Sequence, residues 1–155
     1  MPHLVVNPVQ LIKQQGFTLI ELVIVIVLLG ILTAIALPKF ASLQTDARTA
    51  SIEAASGAIK SAMAIVHAQS LVEGEESSSL ASVILQGTAI TTIYGYPSST
   101  DINQAAGIGS SDYSISSNGI NRNIRLNNSI QCQVRYRQAV NNNTVPVITI
   151  NTNGC

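Results

Sequence analysis

The polar and apolar positions of this chain fall into three regimes. From Phe17 to Leu37 the residues are apolar on every side with one charge, Glu21; at 1.5 Å per residue this run makes roughly 31 Å of helix, enough to cross a bilayer. Beyond Pro38 the pattern becomes amphipathic. Ile52, Ala55, Ile59, Met63 and Val66 recur at steps of three and four, and Phe40, Leu43, Ala47, Ala50 and Ala54 make a second stripe; both are candidate core faces. Lys39, Asp46, Arg48, Glu53 and Lys60 sit among Ser and Thr, as on a partly solvated face. One helix is predicted from about Thr18 to about Val72, far beyond the globular mean, a length that makes sense if only its second half packs into a domain.

The third regime is short-period. Glu73-Gly74-Glu75-Glu76 and the serines behind it read as a helix stop and a solvated loop. A short helix is expected around Leu80 to Leu85, then extended chain at Thr91 to Tyr94 and a turn at Tyr94-Gly95-Tyr96-Pro97. Tyr113 to Ser116 and Ile124 to Leu126 are strand candidates joined by a turn at Asn118-Gly119. Ile130, Cys132, Val134 and Tyr136 alternate with Gln131, Gln133, Arg135 and Arg137, which predicts a strand buried on one face. Asn141-Asn142-Asn143 supplies turn residues, and Thr144 to Ile150 returns as a partner strand whose Pro146 marks an edge. The fold class is therefore α+β: a long N-terminal helix packed on a small C-terminal antiparallel sheet.

Three readings of the N-terminal region compete. Residues 1–16 hold one cation, Lys13, with Pro2, Pro8 and the polar run Lys13-Gln14-Gln15-Gly16; too short and polar to fold, they look like a targeting leader. A conventional secretory signal would use the small-x-small site Ala34-Ile35-Ala36 and be cut after Ala36. A permanent transmembrane anchor needs only the hydrophobic length. Neither explains Glu21, an acid inside an apolar run, where it costs on the order of 2.5 to 3.5 kcal/mol.

The octapeptide Gly16-Phe17-Thr18-Leu19-Ile20-Glu21-Leu22-Val23 resembles the processing motif of type IV (type IVa-like) prepilins. The resemblance implies a cleaved leader over 1–16, a transmembrane and filament-core helix over 17–38, and a globular head over 39–155. It implies cleavage by a prepilin peptidase between Gly16 and Phe17, and N-methylation of Phe17. The physics can be stated separately. A cut after Gly16 creates an α-amine on Phe17, a cation at the edge of a lipid or protein core, and Glu21 is its natural counter-charge, one helical turn away. It can serve its own terminus or a neighbour's; the resemblance implies the neighbour's, with axial register set by that pair during assembly. Gly30 and Pro38 bracket a segment weak in helix propensity and lacking one backbone donor. A kink is the plain reading; the resemblance implies unwinding inside a filament.

Tyr94-Gly95-Tyr96-Pro97, with Ala54-Ala55-Ser56-Gly57-Ala58, is further similar to pilins of the mannose-sensitive haemagglutinin type, although Tyr-Pro turns also occur in major pseudopilins of type II secretion. Cys132 and Cys155 are the only cysteines; in an exported chain they most simply form one disulfide, the alternative being two free thiols. The resemblance matches that bridge to the exposed C-terminal region of pilins, often involved in surface recognition.

Composition narrows the function. Eight basic and eight acidic residues balance, charge is 10% of the chain, aromatic residues are 4% and no Trp is present, so neither a phosphate-binding field nor a set of stacking platforms exists for nucleic acid, and electrical conduction has no support. With no Gly-x-Ser-x-Gly elbow, no Gly-rich phosphate loop and His67 as the one histidine beyond the leader's His3, an enzyme is not expected, nor a cofactor or metal. His67 reads as a packing or surface residue, and the acids at Glu73 to Glu76 with Asp101 or Asp112 lack ordered ligand spacing. Asn127-Asn128-Ser129 and Asn142-Asn143-Thr144 match the glycosylation pattern at a rate an Asn-rich tail produces by composition.

The expected protein is the structural subunit, a major pilin, of a bacterial type IV pilus, polymerising through its helix for attachment, biofilm formation or motility. Its expected location is the inner membrane as precursor, then the surface of a Gram-negative cell. Its partners would be copies of itself, the prepilin peptidase and the assembly machinery, with a surface or carbohydrate ligand unspecified. The alternatives are a minor pilin, a type II secretion pseudopilin, or a secreted soluble adhesive or carbohydrate-binding domain.

Overall fold

A computed structural model describes residues 16–155, so the leader expected over 1–16 lies outside the described residues except for Gly16. The chain divides into two units, one ending at Phe40 and one spanning Ala41–Cys155. Helix α1 (Leu19–Glu73) supplies the first unit and the opening element of the second. Its end is a Schellman cap: Gly74 takes a positive φ of 74°, its N–H reaches the Leu71 carbonyl at 3.3 Å, and the Glu75 N–H reaches the Ser70 carbonyl at 2.9 Å.

In the second unit two antiparallel sheets follow. The first orders β1 (Ala81–Leu85), β2 (Thr88–Ile93) and β3 (Tyr96–Pro97); after a short helix α2 (Ile102–Ala105), the second orders β4 (Ser114–Asn118), β5 (Asn121–Arg125), β6 (Gln133–Arg137) and β7 (Val147–Asn151). Ile52, Ala55, Ile59 and Ala62 of α1 pack with Ile102, Ile124, Val134 and Tyr136, and Val66 packs with Val83 and Ile90 of the first sheet. Each buried Ile or Val contributes about 1.5 to 3 kcal/mol by removal from water, so this seam carries the head's stability.

Four expectations are corrected. The second stripe, Phe40, Leu43, Ala47, Ala50 and Ala54, is exposed, because buried helix positions begin only at Ile52 and follow one face; Met63 is half-buried and Ala62 takes the core position. Residues 81–85 form a strand and not a helix. Their apolar run is too short for periodicity to decide, and the two-residue turn Gln86-Gly87, both at positive φ, sets Val83 opposite Ile90, where both are buried. The β4–β5 turn sits one residue later than expected, with Asn118 paired to Asn121 and Gly119 (φ 58°) first in the loop. Ile130 precedes β6 and is exposed, while Gln133 is buried and accepts from Arg125 Nε at 3.0 Å; Cys132, Val134 and Tyr136 are buried and Arg135 and Arg137 exposed, as the alternation predicts. Pro146 stands just before β7, which is a sheet edge.

Candidate functional site

The candidate site is the start of α1. Every large apolar side chain from Phe17 to Leu37 is exposed, Phe17 at 94% and Val23, the least exposed, at 40%. The helix is long and apolar enough to cross a membrane. A helix is the form such a segment must take there, since each backbone polar group finds its partner within the segment. The chain alone leaves this surface without a partner. By the area rule each such side chain gains about 1.5 to 3 kcal/mol on entering an apolar environment, which makes lipid or other helices its equilibrium surroundings.

Gly16, Phe17 and Thr18 precede the helix. Thr18 and Glu21 form a reciprocal capping box: the Thr18 N–H and hydroxyl donate to Glu21 Oε2 at 2.8 and 2.9 Å, and the Glu21 N–H donates to Thr18 Oγ1 at 3.3 Å. Thr18 was not among the residues the motif singled out, although Thr-x-x-Glu before an apolar run is a helix-start signature. The Glu21 carboxylate is thus held one turn from Phe17 by its own chain before any partner arrives. Gly16 has open space around its Cβ position, so no contact within the described chain requires glycine there.

Gly30 and Pro38 both lie inside the unbroken helix. Pro38 offers no N–H to the carbonyl of Ala34. Between them Thr33 Oγ1 donates back to the Leu29 carbonyl at 2.7 Å, an interaction that tends to bend helices.

The structure joins Cys132 to Cys155, 23 residues apart. The bridge closes the open end of the β6–β7 ribbon, since Gln133 pairs with Asn151 beside it. Arg48 Nη1 donates to the Cys155 carbonyl at 3.0 Å and ties the tail to α1. His67 is a packing residue, as expected: Nδ1 donates to the Gly95 carbonyl at 3.0 Å, and the ring stacks on Tyr96 at 4.1 Å. Among the described residues no group of His, Cys, Asp and Glu is arranged to hold a metal ion.

The perturbed titratable groups of the head are structural. Burial pushes the Tyr136 phenol up, reinforced by Tyr96, and its hydroxyl donates to the Pro97 carbonyl at 2.6 Å, linking the two sheets. At Asp101 burial opposes ionisation, but hydrogen bonds from Thr91 and Thr100 and the Arg122 charge together hold its carboxyl below the usual range. Burial lowers Arg122, offset in part by Asp101; its guanidinium donates to Asn103 Oδ1 at 2.6 Å and to the Ser117 hydroxyl.

Residues 11–37 match the family described as the prokaryotic N-terminal methylation motif. The chain is 51% identical over 57 residues to the type IV narrow pilus major component PilA5 of Thermus thermophilus, covering 37% of this chain and 49% of that protein. It is 43% identical over 67 residues to the type IV major alpha-pilin of Moraxella bovis, covering 42% of each. The chain thus spans less than half the length of these curated relatives. No solved structure is significantly similar to it. The N-terminal segment of the chain is thus similar to a prokaryotic N-terminal methylation motif and to type IV pilins; the narrower likeness to mannose-sensitive haemagglutinin pilins receives no support from these relatives.

Proposed function

We propose that this protein is the structural subunit of a type IV pilus: a prepilin peptidase cuts between Gly16 and Phe17, Phe17 is N-methylated, and the exposed helix exchanges inner-membrane lipid for the helices of neighbouring subunits. The observation that carries this reading is the wholly exposed apolar start of α1 with one carboxylate, Glu21, a single turn from Phe17. Methylation retains the positive charge, so Glu21 is available to neutralise the terminus of an adjacent subunit where apolar helices exclude water. Gly30, Thr33 and Pro38 mark the segment that unwinds in the filament. The filament extends from a Gram-negative cell and serves attachment, biofilm formation or motility.

A precursor carrying Glu21→Ala tests the assembly step. The expected result is a processed protein in the inner membrane with surface filaments lost. Thr18→Ala, which removes the capping hydroxyl and keeps the carboxylate, separates helix capping from charge pairing and retains filaments. Wild-type filament levels from Glu21→Ala overturn the counter-charge role.

A further inference from the structure

The charges of the head are unevenly spread. From Tyr113 to Cys155 the chain holds four arginines, Arg122, Arg125, Arg135 and Arg137, and no Asp or Glu. Strand register sorts them onto the two faces of the second sheet. Arg125 stands opposite Gln133, and Arg135 and Arg137 follow Gln133 at steps of two along β6, so these three share one face. Arg122 pairs with Tyr136 on the other face, where it feels the charge of Asp101. The face with three arginines is the wet one. Arg135 and Arg137 are exposed and Arg125 is half-buried, while Ile124, Val134 and Tyr136 turn the opposite face into the core.

Two of the three guanidinium groups are held in place by the sheet. Arg125 Nε donates to Gln133 Oε1 at 3.0 Å and Arg135 Nε to Asn123 Oδ1 at 2.9 Å, each across the β5–β6 pair. Asn123 and Gln133 are 6% and 7% exposed, so the amides that orient the guanidinium groups are themselves fixed. An Nε bond uses one of a guanidinium's five donors and leaves the Nη hydrogens to a ligand. Two steps along a strand span about 7 Å and the diagonal between neighbouring strands about 7 to 8 Å, which sets Arg135 between Arg137 and Arg125 in a compact array. Like charges at that spacing repel. Nothing on the face offsets them, since its remaining positions are Asn, Gln, Ser, Thr and Val.

A ligand with several anionic groups fits this array, because it neutralises all three charges and bonds each guanidinium through paired oxygens. The neighbouring positions select among polyanions. Asn118 and Asn121 lie in line with Arg137 across the strands, and Ser116 and Thr149 in line with Arg135. Such amides and hydroxyls pair with sugar hydroxyls set between charged groups. A DNA duplex presents sugars without a free hydroxyl, and the face has no aromatic side chain on which unpaired bases could stack. The acids of a second copy match less well: Glu73, Glu75 and Asp112 already accept from Gln69, Ser78 and Ser111, and Asp46 and Glu53 alternate along α1 with Lys39, Arg48 and Lys60. We propose that the exposed face of the second sheet binds a polysaccharide bearing carboxylates, with Arg125, Arg135 and Arg137 holding the carboxylates and the amides and hydroxyls beside them bonding to the sugar hydroxyls between. The inference goes beyond the filament reading and stands without it, since the face belongs to the head alone.

The test uses the full-length chain, ¹⁵N-labelled, in micelles of a zwitterionic detergent, where its zero net charge gives a polyanion no general attraction. It is titrated separately with oligogalacturonate, with neutral dextran of similar length and with a short DNA duplex matched in charge. The expected result is a saturable shift of the Arg125, Arg135 and Arg137 Nε signals with oligogalacturonate, weakened by added salt, and none with dextran. Arg135→Gln is expected to raise the Kd about tenfold, and Arg137→Gln, also at an exposed position, to weaken binding as well. Lys60→Gln removes the same charge from an exposed position of α1 and is expected to leave the Kd unchanged. No saturable shift with oligogalacturonate, an equal response to dextran, tighter binding of the duplex, or equal weakening by Lys60→Gln overturns the proposal. So do the same shifts produced by raising the protein concentration without ligand, which would assign the face to a second copy.

Discussion

Opening the Cys132–Cys155 bridge tests how the head holds its edge strand. β7 pairs only with β6, and the bridge closes the ribbon at the end opposite the 138–146 connection, so β7 is bounded by a loop on one side and a covalent link on the other. For cysteines 23 residues apart the chain-entropy estimate gives an unfolded-state restriction of about 11 cal/mol/K, or about 3 kcal/mol near room temperature. Both cysteines also belong to the core, so Ala substitution loses some packing beyond that figure, whereas reduction does not. The assay is urea unfolding of the full chain in detergent, oxidised against reduced, followed by near-ultraviolet tyrosine signal. All four tyrosines, Tyr94, Tyr96, Tyr113 and Tyr136, lie in the head and no Trp is present, so the signal reports the head and not the long helix. Reduction is expected to lower stability by about 3 kcal/mol and the thermal midpoint by roughly 10 °C, with the amides of Val147–Asn151 losing hydrogen-exchange protection first. A change below about 0.5 kcal/mol, inside the scatter of ordinary surface substitutions, would refute the loop-closure reasoning.

Two further outcomes follow from the head. Tyr136→Phe leaves the Pro97 carbonyl without its donor between the two sheets and is expected to destabilise by about 1 to 3 kcal/mol, read from the same urea midpoints. Because the Tyr136 phenol is raised in the folded state, its contribution is complete below the ordinary tyrosine range and lost as pH rises above about 10; the Phe variant lacks that alkaline decline. Asp101 has the opposite sign. Its folded-state carboxyl is lowered, so its contribution is present above the usual carboxylate range and lost as pH falls through the folded value; stability measured against pH should fall less on the acid side in Asp101→Asn than in the parent.

The parts of this molecule with strong periodicity or special residues could be read from the chain alone. The helix limits, Leu19 and Glu73, lie within a residue of those predicted, because all-round apolarity, an amphipathic stretch and a Gly stop follow one another in order. Cys132, Val134 and Tyr136 declared their buried face by alternation. β1 was misread because Ser82 to Leu85 is too short a run to separate a strand from a buried helix, and what decides it is a turn with Gln86 at positive φ, a residue that carries no such signal. Tyr94 at positive φ is silent in the same way. The exposed Leu43, Ala47, Ala50 and Ala54 look like core in sequence because amphipathic spacing records that a face is apolar and not what covers it. Thr18 is legible as a capping residue but is overshadowed by Glu21.

The central claim, that this chain is processed after Gly16 and assembled through its first helix, is tested most directly by the N-terminal sequence and non-reduced intact mass of the protein sheared from the cell surface. The account predicts a chain beginning at monomethylated Phe17, with a mass two hydrogens below that of the dithiol. A chain beginning at Leu37, as a cut after Ala36 would leave, contradicts it and makes the protein an ordinary secreted domain.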